Sequence, residues 1–459
     1  MLGEIFQRFV EKSPIAVMVR GVLERVLGAE ALDAWYERTA QKQYTQTLLF
    51  STLYELMSAV VFAIKPSVHA AYQGREAEVG TSIVSVYSKL KGIELQTSAE
   101  LVRYSATALA PIVEQVGGAR EPWLAGYQVK IIDGNCLEAT EHRLKPLREL
   151  GAGALPGKSL VVFDPVLGLV TEVFPCEDGH AQERALLGEV LPTIKAGELW
   201  LHDRNFCTRD FLCGHVVRGA FFISRQHQQL PWEALSELRP AGRVETGKVA
   251  EQRVRVCDSA GNGYTFRRIR LELDEPTRDG EQIIYLLTNL PRQVASAKTI
   301  ARLYGKRWTI ERAFQDLEGH LHSEINTLGY PQAALFGFCV ALVAYNALAV
   351  VFAALRAVHG AQTIDHEVSG YYLANEIAET HRGMMIAIPE EYWQVFATMS
   401  AAVFAATLLQ LAHKVRLRTF LKHSRGPKKP SPKRHSSAQQ PHVSTARLLS
   451  QQRAQSGTP

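Results

Sequence analysis

The chain has 459 residues, too many for one simple hydrophobic core, so two or more structural units are expected. A hydrophobic content of 46% suits a soluble globular protein and excludes a chain too polar to build a core. The net charge of +5 is unevenly spread. No Asp or Glu follows Glu391, and residues 414–459 hold eleven of the 51 Lys and Arg. The remaining 40 stand against 46 acidic residues, a net of −6 for the body. A basic tail on a mildly acidic body points to a polyanionic partner, or more plainly to solubility.

Residues 1–120 read as helical. "YTQTLLFSTLYELMSAVVFAI" is long and apolar, and "TSIVSVYSKLKGIE" offers Thr81 or Ser82 as a cap before a periodic run. From residue 121 the texture changes. "YQVKIIDGNCLEAT" and "SLVVFDPVLGLVTEVFP" are dense in β-branched residues, the second broken by a Pro-Val-Leu-Gly turn. "HAQERALLGEVLPTI" predicts an amphipathic helix, "GELWLHDRNF" a short buried strand with a polar end, and "GAFFISRQH" another strand. Three strands followed by helix, strand, helix and strand predict a mixed α/β sheet, whose first part is placed at 121–217. Residues 218–297 alternate with period two around Gly261-Asn262-Gly263, which predicts an all-β insertion. Residues 298–413 read as helices, and the Pro-, Lys- and Arg-rich segment 414–459 as a disordered tail.

Six cysteines show no paired framework and the N-terminus has no secretory leader, so a reducing, cytoplasmic setting is expected. Cys207, Cys213 and His215 fit no common zinc spacing and read as buried groups. The uncharged stretch "AALFGFCVALVAYNALAVVFAAL" (333–355) is long enough to span a bilayer. Its many Ala, its Tyr345 and Asn346, and the lack of a companion span favour a buried core helix, with no membrane partner.

Two carboxylates close apolar strands: Asp133 after "VKII" and Asp203 after "LWLH". A carboxylate at such a place costs desolvation unless something pairs with it. If the strands are neighbours, the two emerge from one end of the sheet and repel unless a cation lies between, and oxygen ligands suit Mg²⁺ or Mn²⁺. The plainer reading of Asp133 alone is a turn, since Asp-Gly is a common turn pair. A third carboxylate, Glu311, is carried by "YGKRWTIERAFQDLEGHL". On a continuous helix it shares a stripe with Tyr304 and Arg307. Arg307 and Glu311 at i and i+4 also make an ordinary surface ion pair. Trp308, Ile310, Phe314 and Leu317 predict that this helix is buried. Three carboxylates and two metals about 3.5–4 Å apart suit in-line attack on a phosphodiester, with Arg307 and Tyr304 as phosphate contacts. His180 and Glu183 are candidates for supporting groups or helix caps; Asn205 for a DNA contact or a turn cap; His202, on the other strand face, for packing.

"YGKRWTIERAFQDLE" resembles the Tyr-Arg-Glu-Lys signature of bacterial insertion-sequence transposases of the insertion-sequence-four type, with Tyr304, Arg307 and Glu311 at the family spacing. The family's two aspartates correspond to Asp133 in "IIDGN" and Asp203 in "LHDRNF". The resemblance implies an RNase H-like α/β catalytic domain interrupted by a β insertion, covering most of residues 120–350. It implies Asp133, Asp203 and Glu311 as catalytic metal ligands for Mg²⁺ or Mn²⁺. It also implies double-stranded DNA as partner, both element ends and target, with a homodimer on paired ends in the bacterial nucleoid. The activity implied is cleavage at terminal inverted repeats and 3′-hydroxyl strand transfer. The signature's final Lys is Glu318 here, an anion where a phosphate contact is expected, and Lys306 or Arg312 are the substitutes at hand.

Overall fold

The structure, a computed structural model, describes residues 2–42, 47–277, 280–423 and 442–456. The Pro- and Lys-rich stretch 425–441 of the expected tail lies outside the described residues.

The N-terminal part is helical. Its principal helices are α1 (Pro14–Leu27), α2 (Phe50–Val61) and α3 (Leu95–Gln115). Pro14 sits at the first helical position of α1, where its missing N–H is no loss. Of the two candidate caps, Ser82 is the one used: its hydroxyl accepts from Ser85 N at 3.2 Å.

The sheet begins with β1 (Gln128–Cys136), the two-residue β2 (Ala154–Leu155), β3 (Lys158–Asp164) and β4 (Leu169–Cys176). β5 (Glu198–His202) and β6 (Phe221–Arg225) follow, with α4 (Arg209–Val217) crossing between them. Then come β7 (Glu233–Ala234), β8 (Arg239–Val244), β9 (Gly247–Cys257), β10 (Gly263–Leu273) and β11 (Ile283–Thr288). Ten of these strands form one sheet in the order β4-β3-β1-β5-β6-β11-β10-β9-β7, with β8 also on β9. β1, β3 and β4 are antiparallel neighbours, while β1, β5 and β6 run parallel. The Pro-Val-Leu-Gly turn joins β3 to β4, with Gly168 at φ +74°. Gly261, at φ +87°, serves the β9–β10 hairpin.

The segment 218–297, expected as an all-β insertion, is continuous with the main sheet, its first strand β6 pairing parallel with β5. β11 pairs antiparallel with β6, and Thr288 faces Ile223 in register. The predicted helix over 180–194 is only short turns, Glu183–Leu186, Leu187–Val190 and Leu191–Thr193; Pro192 stands in the last of them.

Alternation along the strands sends Val129, Ile131, Leu199 and Leu201 to one face of the sheet and Ile132 and Trp200 to the other. The first face packs against α3 and against three helices that follow the sheet. These are α5 (Ala297–Gly305), α6 (Thr309–His320) and α7 (Pro331–His359). The long apolar helix is α7. It has a mean hydropathy of 2.3 over its most apolar window, of which 83% is buried inside the protein. Its Asn346 is fully buried: it donates to Val170 O (2.9 Å) and Ser105 Oγ (3.3 Å) and accepts from Val170 N (2.8 Å). It thereby pairs both backbone groups of Val170 on the edge strand β4, which gives an amide in an apolar run its physical reason.

Within 414–459, expected as a disordered tail, the described residues 414–423 and 442–456 are structured, the first holding the turn Leu417–Phe420. β12 (Val443–Ser444) pairs parallel with β2, and α8 (Thr445–Ser456) follows, with Arg447 on Asp178 at 2.6 Å.

Candidate active site

Asp133 and Asp203 meet because β1 and β5 are parallel neighbours. Their register pairs Gln128 with Glu198 and Ile131 with Leu201. Two residues further along the same offset, Asp133 stands beside Asp203, about 4.8 Å being the spacing of adjacent strands. Asp203 follows the end of β5, but Asp133 does not close its strand as expected, since Gly134–Cys136 continue β1 in register with β3. Both have the parity of Ile131 and Leu201, so both project onto the face that α5 and α6 cover. Asp203 also caps the turn Arg204–Phe206, its Oδ1 accepting from Asn205 N at 2.7 Å.

Glu311 comes from the first turn of α6, but the helix is not the continuous one the sequence predicts. A 3₁₀ turn, Lys306–Trp308, separates α5 from α6. Trp308, expected to help bury this segment, is 60% exposed, because the tighter turn rotates it away from the core. Arg307 is the residue turned inward. Only 6% exposed, it donates from Nη1 to Asp133 Oδ2 at 2.8 Å and from Nη2 to Glu311 Oε1 at 3.2 Å. The Arg307 guanidinium is thus the pivot around which the carboxylates gather.

The electrostatics agree with that geometry. Burial pushes the Asp133 carboxyl up to about 6; Arg307 opposes the shift and the neighbouring Asp203 adds to it. Burial alone would lower Arg307, but Asp133, Tyr304, Asp203 and Glu311 together outweigh it and hold its proton more tightly. The Tyr304 hydroxyl, buried beside Arg307, is pushed up by desolvation. Lys306 and Arg312 are exposed, Lys306 with its ammonium 5.2 Å from the Trp123 ring. Glu318 is exposed too. It adds to the charge that, after burial and alongside Glu138, raises the Glu324 carboxyl to about 7.

Among the described residues no group of three or more His, Cys, Asp or Glu side chains is arranged to hold a metal ion. Glu311 reaches Asp133 only through the guanidinium. A cavity of about 830 Å³ opens elsewhere, among the N-terminal helices and residues 377–390; it is lined by Arg20, Tyr54 and Arg75 and shares no residue with the carboxylates.

Residues 124–347 match the family described as the transposase DDE domain. This segment, 224 of the 459 residues, is similar to the transposase DDE domain. It runs from just before β1 into the middle of α7, and so takes in the whole main sheet with α5 and α6. No curated protein matches the chain. Among solved structures, the piggyBac transposase synaptic complex with hairpin DNA is similar at 10% identity, over 84% of this chain and 84% of that one. Its TM-score is 0.38, too low to bear on the fold.

The matched segment also places charged residues near the two aspartates: Arg184, Arg204 and Arg225, which sequence reasoning passed over, and Glu183, which it held as a supporting group or cap. His202 pairs with Ser224, so Arg225 ends β6 beside Asp203. Arg225 is paired with Glu281, as is Arg204 at 3.3 Å. Arg184 donates to Asn205 O at 2.8 Å, and Glu183 lies over Gly134 where any Cβ would stand. The available signal was parity: Arg225 closes "FFISR" as Asp203 closes "LWLH". His202 is fully buried on the opposite face, against Phe211, Phe222 and His215.

Proposed function

We propose that the chain is an insertion-sequence transposase that binds terminal inverted repeats, cleaves DNA at the element ends and joins the 3′-hydroxyl to target DNA. The observation that carries this reading is the register of β1 and β5, which sets Asp133 beside Asp203 under the Arg307–Glu311 turn. Three antiparallel strands followed by two parallel ones are what an RNase H-like core requires, and this supports that reading of the sheet.

The donor set suits a hard cation: Asp133, Asp203 and Glu311 offer only oxygens, and the Asp133 carboxyl is raised by burial with Asp203 adding to it. These three residues would hold Mg²⁺, or Mn²⁺ in its place. When bound, the ion supplies a nucleophile at neutral pH and charge stabilisation at the leaving oxygen. Arg307 presents a planar fork matched to a phosphate, and the Tyr304 hydroxyl a second donor. Exposed Lys306 and Arg312, with Arg204 and Arg184 along the strand ends, offer the salt-dependent grip on the DNA backbone. The N-terminal helices are the candidate for reading the end sequence. A homodimer on paired ends, in the bacterial cytoplasm, belongs to the same reading.

Labelled element ends incubated with purified protein, Mg²⁺ and a target plasmid should yield joined products. Free 3′ ends with no joining would replace transposition by a nuclease activity. A second reading, a DNA-binding descendant that no longer cuts, is favoured by Glu318 standing near Glu324 where the signature has a cation. Absence of nicking in both Mg²⁺ and Mn²⁺ would select it.

A further inference from the structure

Arg307 is drawn in two directions. The signature makes it a phosphate ligand, while the structure engages it with the carboxylates that would hold metal, through Asp133 Oδ2 and Glu311 Oε1. A carboxylate oxygen has lone pairs for a guanidinium or for a divalent ion, and one site cannot satisfy both at full strength. We propose that Arg307 is a built-in competitor of the divalent ion, held on Asp133 and Glu311 until a phosphate draws its guanidinium away and leaves those oxygens to the metal. The inference rests on the reading of Asp133, Asp203 and Glu311 as metal ligands and adds a regulation of that site.

Three observations support the exchange. First, the bridge is a divided one: Arg307 gives one nitrogen to each carboxylate instead of a parallel fork to either, and its buried Nε has no partner. A phosphate oxygen pair would accept two parallel bonds from the same fork, a geometry that neither carboxylate gives Arg307 here. Second, the charges fit. Three carboxylates and one guanidinium leave a net of two negative charges, whereas withdrawal of the guanidinium leaves three and deepens the attraction for cations. Third, Arg307 lies in the single 3₁₀ turn Lys306–Trp308 between α5 and α6, outside the body of either helix, and carries its guanidinium on a long side chain that can swing without backbone movement. Coupling of this kind is reciprocal: the phosphate tightens the metal and the metal tightens the phosphate by the same factor.

The test is Mn²⁺ binding to the full chain without DNA, followed by calorimetry or electron paramagnetic resonance, with the melting temperature as a check of folding. R307Q should bind Mn²⁺ on the order of tenfold more tightly than wild type, because a like charge beside the ion is gone. R307K, which keeps the charge, should stay near wild type. In wild type, a short DNA duplex, its own Mn²⁺ uptake subtracted, should tighten Mn²⁺ by a comparable factor; in R307Q it should add little. Equal or weaker Mn²⁺ binding by folded R307Q overturns the proposal. Should R307Q not fold, failure of the duplex to tighten Mn²⁺ in wild type overturns it instead. D133N separates this inference from the reading beneath it. If D133N binds Mn²⁺ as wild type does, the metal-site reading itself fails. If D133N loses Mn²⁺ while R307Q is unchanged, only the competition is rejected.

Discussion

Asp133 and Asp164 belong to neighbouring antiparallel strands and lie toward opposite ends of the sheet. Asp164, at the end of β3, is almost wholly buried and fully engaged. Val166 N and Leu167 N donate at 3.0 Å each, Gln128 Nε2 at 3.0 Å and Lys130 Nζ at 3.2 Å. Asp133 has two donors, Gly134 N at 3.0 Å and Arg307 Nη1 at 2.8 Å, and faces a second carboxylate. One aspartate has its charge answered by its own turn and strand. The other shares its one guanidinium with Glu311 and faces Asp203. The difference teaches what separates a structural carboxylate from a candidate ligand. Asp133 too is largely buried, but burial raises its carboxyl, with Asp203 adding to it, because its own turn and strand give it fewer donors.

The comparison breaks first on activity. Under the proposed function, Asp133→Ala, Asp203→Ala or Glu311→Ala should each lower Mg²⁺-dependent end cleavage by roughly a thousandfold or more, since a metal ion is worth several kcal/mol at the transition state. DNA binding by gel shift and the thermal melt should survive. Asp164→Ala should do the reverse. It leaves Lys130, 8% exposed, buried without its carboxylate, and should cost about 4 kcal/mol of stability in denaturant titration. Cleavage per folded molecule should be unchanged. If the two variants behaved alike, satisfaction of the carboxylate would not be what separates the two ends.

The site was legible in the sequence where it depended on parity and spacing. Asp133 and Asp203 each end an apolar run, and Arg307 and Glu311 stand four apart, so local rules place them. What local rules could not give was pairing. The β6–β11 ladder, which brings the far end of residues 218–297 back beside β6 and so beside the β5–β6 junction with the main sheet, joins segments some sixty residues apart, and no alternation pattern names its partner. The 3₁₀ turn was hidden for a different reason. The sequence through Lys306-Arg307-Trp308 is compatible with a continuous helix, and it is the pull of Asp133 on Arg307 that goes with the tighter turn and the outward Trp308. Asn346 likewise reads as an oddity in an apolar run until the edge strand it serves is in place.

The buried histidines beneath Asp203 sharpen the lesson, because they too have unmet polar atoms. Neither ring nitrogen of His202 and not Nε2 of His215 has a partner, yet both residues are fully buried among Phe211, Phe222 and Trp200. Unmet capacity without charge or access does not make a site; it makes a pH liability. Burial holds His215 down to about 4 from its usual 6.5, so the folded protein keeps it neutral while the unfolded chain protonates it below 6.5. The stability it contributes is therefore present above pH 6.5 and is lost as pH falls toward 4, up to about 3 kcal/mol for a shift of this size. Denaturant midpoints measured between pH 7.5 and 4.5 should fall more steeply for wild type than for His215→Leu, whatever the offset between the two curves. A slope unchanged by the substitution would mean that His215 does not resist protonation in the folded state, and that its burial carries no titration cost.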